Sequence, residues 1–202
     1  MPPTHEFEIA MHLVNPAAVS HWSALQYHGL TEQIPRKVYI TTSSNFIPRL
    51  RGAKKETTKV GYSVGDVCYR FIQVKPARFF GMENVWCGDA RITMTDPERT
   101  LLDGLAMPQL CGDFTEVMHA FEARGDKLDV ERITGYALKL DAAVAKRLGW
   151  LMERNGVDET RLRRLAEIPI KGYRTLDATG PRQGTCNRRW MIQENLPGRL
   201  LP

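Results

Sequence analysis

Thr95-Asp96-Pro97-Glu98-Arg99-Thr100-Leu101-Leu102-Asp103-Gly104-Leu105-Ala106 narrows the fold more than any other stretch, because several independent local signals in it agree. It reads as the opening of a buried helix. Asp96 is placed to accept from the first free backbone N–H groups, Pro97 suits the first helical position, and Glu98 puts negative charge near the positive helix end. Thr95 with Glu98 also has capping-box spacing. Leu101, Leu102, Leu105 and Ala106 share one helical face, and Arg99 is one turn from Asp103.

The residues on either side of this start differ in kind. Before it, Arg36-Lys37-Val38-Tyr39-Ile40-Thr41-Thr42 and Val67-Cys68-Tyr69-Arg70-Phe71-Ile72-Gln73-Val74 read as strands. Val85-Trp86-Cys87 and Ala90-Arg91-Ile92-Thr93-Met94 flank a Gly88-Asp89 turn and predict a hairpin. The alternation Phe7, Ile9, Met11, Leu13 predicts an opening strand, and Asn15-Pro16 followed by Ala18, Trp22 and Leu25 predicts a helix stopping at Gly29. After Asp96 the apolar period becomes helical. Asp113, Asp129, Asp141 and Asp158 each stand at a helix start, and Gly125 and Asn155-Gly156 are stops. The tail returns to Pro, Gly and short apolar runs. These patterns predict one α+β domain over 1–202, with a mixed sheet in the N-terminal half and a helical C-terminal half: mainly β with one early helix over 14–95, helical over 96–166, and late strands or a wrapping tail over 167–202.

A chain of 202 residues, 43% hydrophobic and 25% charged, has the makings of one substantial core. It holds no apolar run near the ~20 residues that span a bilayer, and Met1-Pro2-Pro3-Thr4-His5-Glu6 lacks a basic start with an apolar core. Cys68, Cys87, Cys111 and Cys186 form no CxxC pair, which favours reduced thiols in a cytoplasmic protein over a disulfide framework or zinc site.

Few constellations carry chemistry. The chain has no phosphate-cradling glycine loop and no HExxH pattern. His21 and His28 lie seven residues apart, whereas zinc ligands on one helix stand three or four apart. Ser20-His21-Trp22-Ser23 lacks a glycine elbow, so both histidines read as packing beside Trp22. Asp66 with Gln73-Val74-Lys75 resembles a degraded metal-dependent nuclease core in which glutamine replaces a metal-binding carboxylate. The remaining source of function is basic charge. Arg49, Arg51, Lys54, Lys55 and Lys59 face one acid in a stretch without periodicity, an exposed loop suited to phosphate contacts. Arg161, Arg163, Arg164, Arg182, Arg188 and Arg189 form a second group. No aromatic residue is interleaved in the loop, so base stacking is not expected there.

Four ordered blocks resemble the C-terminal domain of AbiEi-type antitoxins and transcriptional regulators. They are Ser20 to Leu30, Phe71-Ile72 through Phe79-Phe80-Gly81, Thr95 to Asp103 with Pro108 and Cys111-Gly112, and Gly184 to Ile192 with Asn195. The resemblance spans about residues 5 to 196. It implies a phage-defence antitoxin of a type IV toxin-antitoxin (abortive infection) system, opposing a nucleotidyltransferase-like toxin without requiring a stable complex. It also implies transcriptional autoregulation through DNA. Residues 1–14 are too few for the winged helix-turn-helix that commonly precedes the domain, so the expectation is a C-terminal module without it. The resemblance supplies no catalytic residues, metal or cofactor, and the expected protein is not an enzyme. The basic loop is nominated as the nucleic-acid surface on physical grounds alone, and a degenerate nuclease or direct toxin-binding module is the alternative.

Overall fold

A computed structural model of the chain describes residues 5–45 and 61–196. It is an α+β protein of seven α-helices and nine strands among the described residues, strands predominating before residue 96 and helices after it. The backbone forms two compact units, Met1–Thr100 and Leu101–Pro202.

In the first unit, β1 (Ala18–Val19), β2 (Lys37–Thr42), β3 (Gly61–Val64), β4 (Val67–Gln73), β5 (Met82–Cys87) and β6 (Ala90–Thr95) form one mixed sheet in the order β3-β4-β2-β1-β6-β5. The β3–β4 and β5–β6 pairs are antiparallel hairpins, while β2–β4 and β1–β6 run parallel. Alternate residues on the neighbouring strands, Val38, Ile40, Tyr69, Phe71, Ile92 and Met94, join Phe7, Ala10 and Leu13 in one apolar cluster. The period of two therefore assigns one sheet face to the core.

Two expectations near the N-terminus are corrected. Residues 6–13 form helix α1 (Glu6–Leu13), not a strand. The alternation of Phe7, Ile9, Met11 and Leu13 left out Ala10, which is fully buried and completes the helical stripe Phe7, Ala10, Leu13. His5 Nδ1 accepts from Phe7 N at 3.1 Å and caps it, with Glu6 and Glu8 in the first turn. The next helix, α2 (His21–Tyr27), begins later than Asn15-Pro16 implies. Ala18 and Val19 are instead a short strand between β2 and β6, both inaccessible to solvent, so sheet pairing overrides the helical spacing. Gly29 ends the segment in the left-handed region at φ 65°.

The second unit begins within α3 (Pro97–Ala106) and continues through α4 (Phe114–Arg124), α5 (Val130–Leu140), α6 (Ala142–Arg154) and α7 (Glu159–Ala166). The capping aspartates act as their positions predict. Asp113, Asp129 and Asp141 accept from Glu116 N, Arg132 N and Val144 N at 2.9 to 3.0 Å, and Asp158 accepts from Thr160 N at 2.9 Å. The tail supplies a three-stranded sheet of β7 (Arg174–Thr175), β8 (Thr185–Asn187) and β9 (Ile192–Glu194), ordered β7-β9-β8. Trp190 docks on α6 where Gly149 leaves room: a Cβ built there would lie 2.0 Å from Trp190 Cζ3. No described helix is long and apolar enough to cross a membrane.

Gly149→Ala is therefore expected to lower the unfolding free energy by about 3 kcal/mol through overpacking, seen as a fall in thermal midpoint. Gly135→Ala is the contrasting case. It lies in α5 with nothing within 4 Å of the added carbon, so the same change should raise stability by about 0.5–1 kcal/mol.

Candidate functional site

The hallmark sequence builds a buried polar corner in the first unit. Strand β6 ends at Thr95 and helix α3 begins at Pro97, leaving Asp96 alone as the joint. Asp96 Oδ1 accepts from Arg99 N at 2.8 Å, while Asp96 N donates to Gly81 O at 2.9 Å. The Thr95 hydroxyl does not form a capping box; it meets the Thr100 hydroxyl at 2.7 Å, and Thr100 Oγ1 also donates to Asp96 O at 2.8 Å. Arg99 is 2% exposed and its Nη1 donates to the carbonyls of Arg78 and Phe80, each at 2.9 Å, with the guanidinium 4.6 Å from the Phe80 ring centroid. A planar, permanently charged group thus satisfies two backbone acceptors of the turn after β4 and stacks on its aromatic residue.

Both histidines act as structural residues. His28 Nε2 donates to Thr95 O at 2.8 Å, tying the end of α2 to this corner, with Glu83 Oε1 3.9 Å away. Thr41 Oγ1 donates to Ser20 Oγ at 2.9 Å, and Ser20 Oγ lies 2.9 Å from His21 Nδ1. The geometry superficially suits a serine–histidine pair. Ser20 and His21 are 0% and 1% exposed, however, so no substrate reaches the hydroxyl. Ser23 accepts from Tyr39 N and donates to Lys37 O, so the Ser20–Ser23 block fastens α2 to β2.

The nuclease-like residues do not converge. Asp66 sits in the β3–β4 turn and Lys75 lies beyond the far end of β4, which at ~3.3 Å per residue spans roughly 20 Å. Gln73 Nε2 donates to Ser44 O at 2.9 Å instead of facing an acid.

Arg49, Arg51, Lys54, Lys55 and Lys59 lie outside the described residues. Their anchor points are described. Thr42 at the end of β2 pairs with Gln73 at the end of β4, and Gly61 at the start of β3 pairs with Arg70, the middle residue of β4. On the leaving side Thr42 Oγ1 donates to Pro16 O at 2.6 Å and accepts from Ser44 N at 3.0 Å. Thr42 and Ser44 are thereby held at the end of β2.

The closing block is equally well determined. Asn195 is 7% exposed; its amide donates to Asp177 O and Pro181 O at 3.0 Å and its oxygen accepts from Asp177 N at 2.8 Å. Trp190 Nε1 donates to Glu153 and Trp150 Nε1 to Glu194, at 2.6 and 2.7 Å, crossing α6 and the tail. Sequence reading missed two buried cations on α6, because a helical apolar stripe carries no warning of a charged residue turned inward. Lys146 Nζ donates to Ala166 O, the C-terminal turn of α7, at 2.6 Å. Arg147 Nε and Nη1 donate to Thr175 O and Leu105 O at 3.0 and 3.3 Å. Burial pulls both below their ordinary pKa; for Arg147, Asp141 and Asp177 oppose the shift. Cys111 is fully buried, and burial with the neighbouring Asp103 charge pushes its thiol well above the usual range, which makes it inert.

No family model matches the chain, and no curated protein matches it. Among solved structures it is similar to the RV2827C protein from Mycobacterium tuberculosis, with a TM-score of 0.58 at 10% identity over 87% of this chain and 61% of that one. The chain thus spans less than two thirds of that protein's length. At this identity the likeness is one of fold alone.

Arg99→Ala is expected to cost about 3 kcal/mol, since it leaves two carbonyls of the 78–80 turn without their donor. Arg99→Lys should recover only part of it, because an ammonium cannot present the same fork. Paired chemical denaturation of the two variants measures both; equal stabilities would show that the fork is not what matters.

Proposed function

We propose that this chain is an antitoxin-type regulator of a type IV toxin-antitoxin system, acting in the cytoplasm against a nucleotidyltransferase-like toxin. The observation that carries the reading is the order and spacing of the four AbiEi-like blocks across most of the chain. Three of the blocks coincide with residues that specify the scaffold: Ser20 and Ser23 on the β2 side, Thr95 to Thr100 at the strand-to-helix joint, and Gly184, Trp190 and Asn195 in the tail sheet. A shared arrangement of such residues supports a shared architecture, and antitoxin action follows from the family resemblance.

In this reading the protein is not an enzyme, and its working surface is basic. Arg49, Arg51, Lys54, Lys55 and Lys59 contact nucleic-acid phosphates. Autoregulation through DNA and action without a stable toxin complex complete the proposal. The separation of Asp66 from Lys75 weighs against the nuclease alternative.

The test is growth rescue by the 202-residue chain co-expressed with the toxin encoded beside its gene. Native chain should restore growth, and the five-fold Ala variant at Arg49, Arg51, Lys54, Lys55 and Lys59 should fold but fail to do so. Absence of rescue by soluble, folded native chain would overturn the assignment, whereas rescue by the variant would remove the loop from the mechanism.

A further inference from the structure

The tail holds a basic surface that the proposed function leaves unused, and its charge is concentrated. Residues 163–192 contain seven Lys and Arg against two acids, so the whole net charge of +5 resides in these thirty residues and the rest of the chain, basic loop included, is balanced. Strand pairing gathers the charge. Arg188 and Arg189 occupy the β8–β9 turn, and Arg174 N on β7 donates to the carbonyl of Met191 in that turn at 3.0 Å. Arg189 then bridges to Glu153 at 2.6 Å and to Glu159 at the start of α7, and Arg163 stands one turn further along α7 from Glu159. Glu153 and Glu159 are therefore engaged by Arg189. Arg163, Lys171, Arg174 and Arg188 are exposed, and none has an ion-pair partner among the described residues.

An exposed aromatic ring completes the surface. Tyr173, 40% exposed, sits between Lys171 and Arg174. The sequence 49–59 has no aromatic residue, but here cations and a ring adjoin along the chain, the pairing that lets a surface hold phosphates and stack a base together.

We propose that the Lys171–Arg174 segment and the β8–β9 turn form a binding surface for single-stranded nucleic acid, with a base stacked on Tyr173 and successive phosphates held by Lys171, Arg174, Arg188 and Arg163. The surface goes beyond the antitoxin reading and does not depend on it, because binding is measured with no toxin present.

Fluorescence anisotropy of the full chain with a labelled twelve-nucleotide oligouridylate and a labelled twelve-base-pair DNA duplex, at low salt, tests this. Saturable binding to the single strand is expected. Tyr173→Ala should weaken it about tenfold with an unchanged circular dichroism spectrum and thermal midpoint. Lys171→Ala, Arg174→Ala and Arg188→Ala combined should weaken it further and flatten the log–log salt dependence by roughly 2, at about 0.7 per phosphate contact. The Tyr173 effect should persist in the background of the five-fold 49–59 variant. Arg36→Ala, an exposed arginine of the first unit, should change nothing. Single-strand binding insensitive to both tail variants, or duplex bound as tightly as single strand, would overturn the proposal. Failure of the folded chain to bind oligouridylate at low salt would also overturn it.

Discussion

Strand β6 passes into helix α3 with one residue between them, and the first unit is arranged around that joint. A strand leaves its backbone groups to neighbouring strands, while a helix leaves its first N–H groups unpaired. Asp96 serves both, donating its own N–H to Gly81 O and closing the helix start by accepting from Arg99 N, while only 5% exposed. Because the joint is buried, each polar group there needs a protein partner, and the hydroxyls of Thr95 and Thr100 serve each other. Arg99 extends the joint outward. Its guanidinium organises the turn at 78–80, and Gly81 O in turn accepts from Asp96 N, so the turn and the helix start hold one another.

The second unit solves a different problem with similar means. Its tail has strands of only two or three residues, too short to be stable by ladder bonds alone. Side chains of α6 supply what the ladder lacks. Trp150 and Arg147 reach tail residues through polar tips, and Gly149 admits the indole of Trp190. A small residue on one turn and hydrogen-bonding residues on either side of it make α6 a receptor for the tail.

What could be read from the sequence follows from which interactions are local. Asp113, Asp129, Asp141 and Asp158 were legible as helix starts because a cap and its target lie two or three residues apart. The Gly88-Asp89 hairpin was legible for the same reason. Residues 6–13 were misread because an apolar alternation fits a strand while a small residue, Ala10, completes a helical face. Only burial distinguishes the two. Ala18-Val19 became a strand because β2 and β6 flank it, a fact about residues twenty and seventy-five positions away. Lys146 and Arg147 were invisible for that reason too: their carbonyl partners lie on the end of α7, on β7 and on α3. Of the basic residues singled out, those of the tail are placed by the structure, while Arg49 to Lys59 lie outside it and stand on sequence alone.

The fate of the cations separates scaffold from surface. Arg99, Lys146 and Arg147 are buried and direct their donors to backbone carbonyls, where loss of the charge would leave acceptors unsatisfied. Arg189 is committed as well, to Glu153 and Glu159. Exposed cations with no such commitment gain little for stability, since a solvated charge contributes near zero and like charges gathered around one turn repel. Arg163, Lys171, Arg174 and Arg188 are of this second kind. They contribute nothing to the scaffold that the structure shows, and their positive charge is left for an incoming polyanion, which is the physical reason to look for binding at the tail.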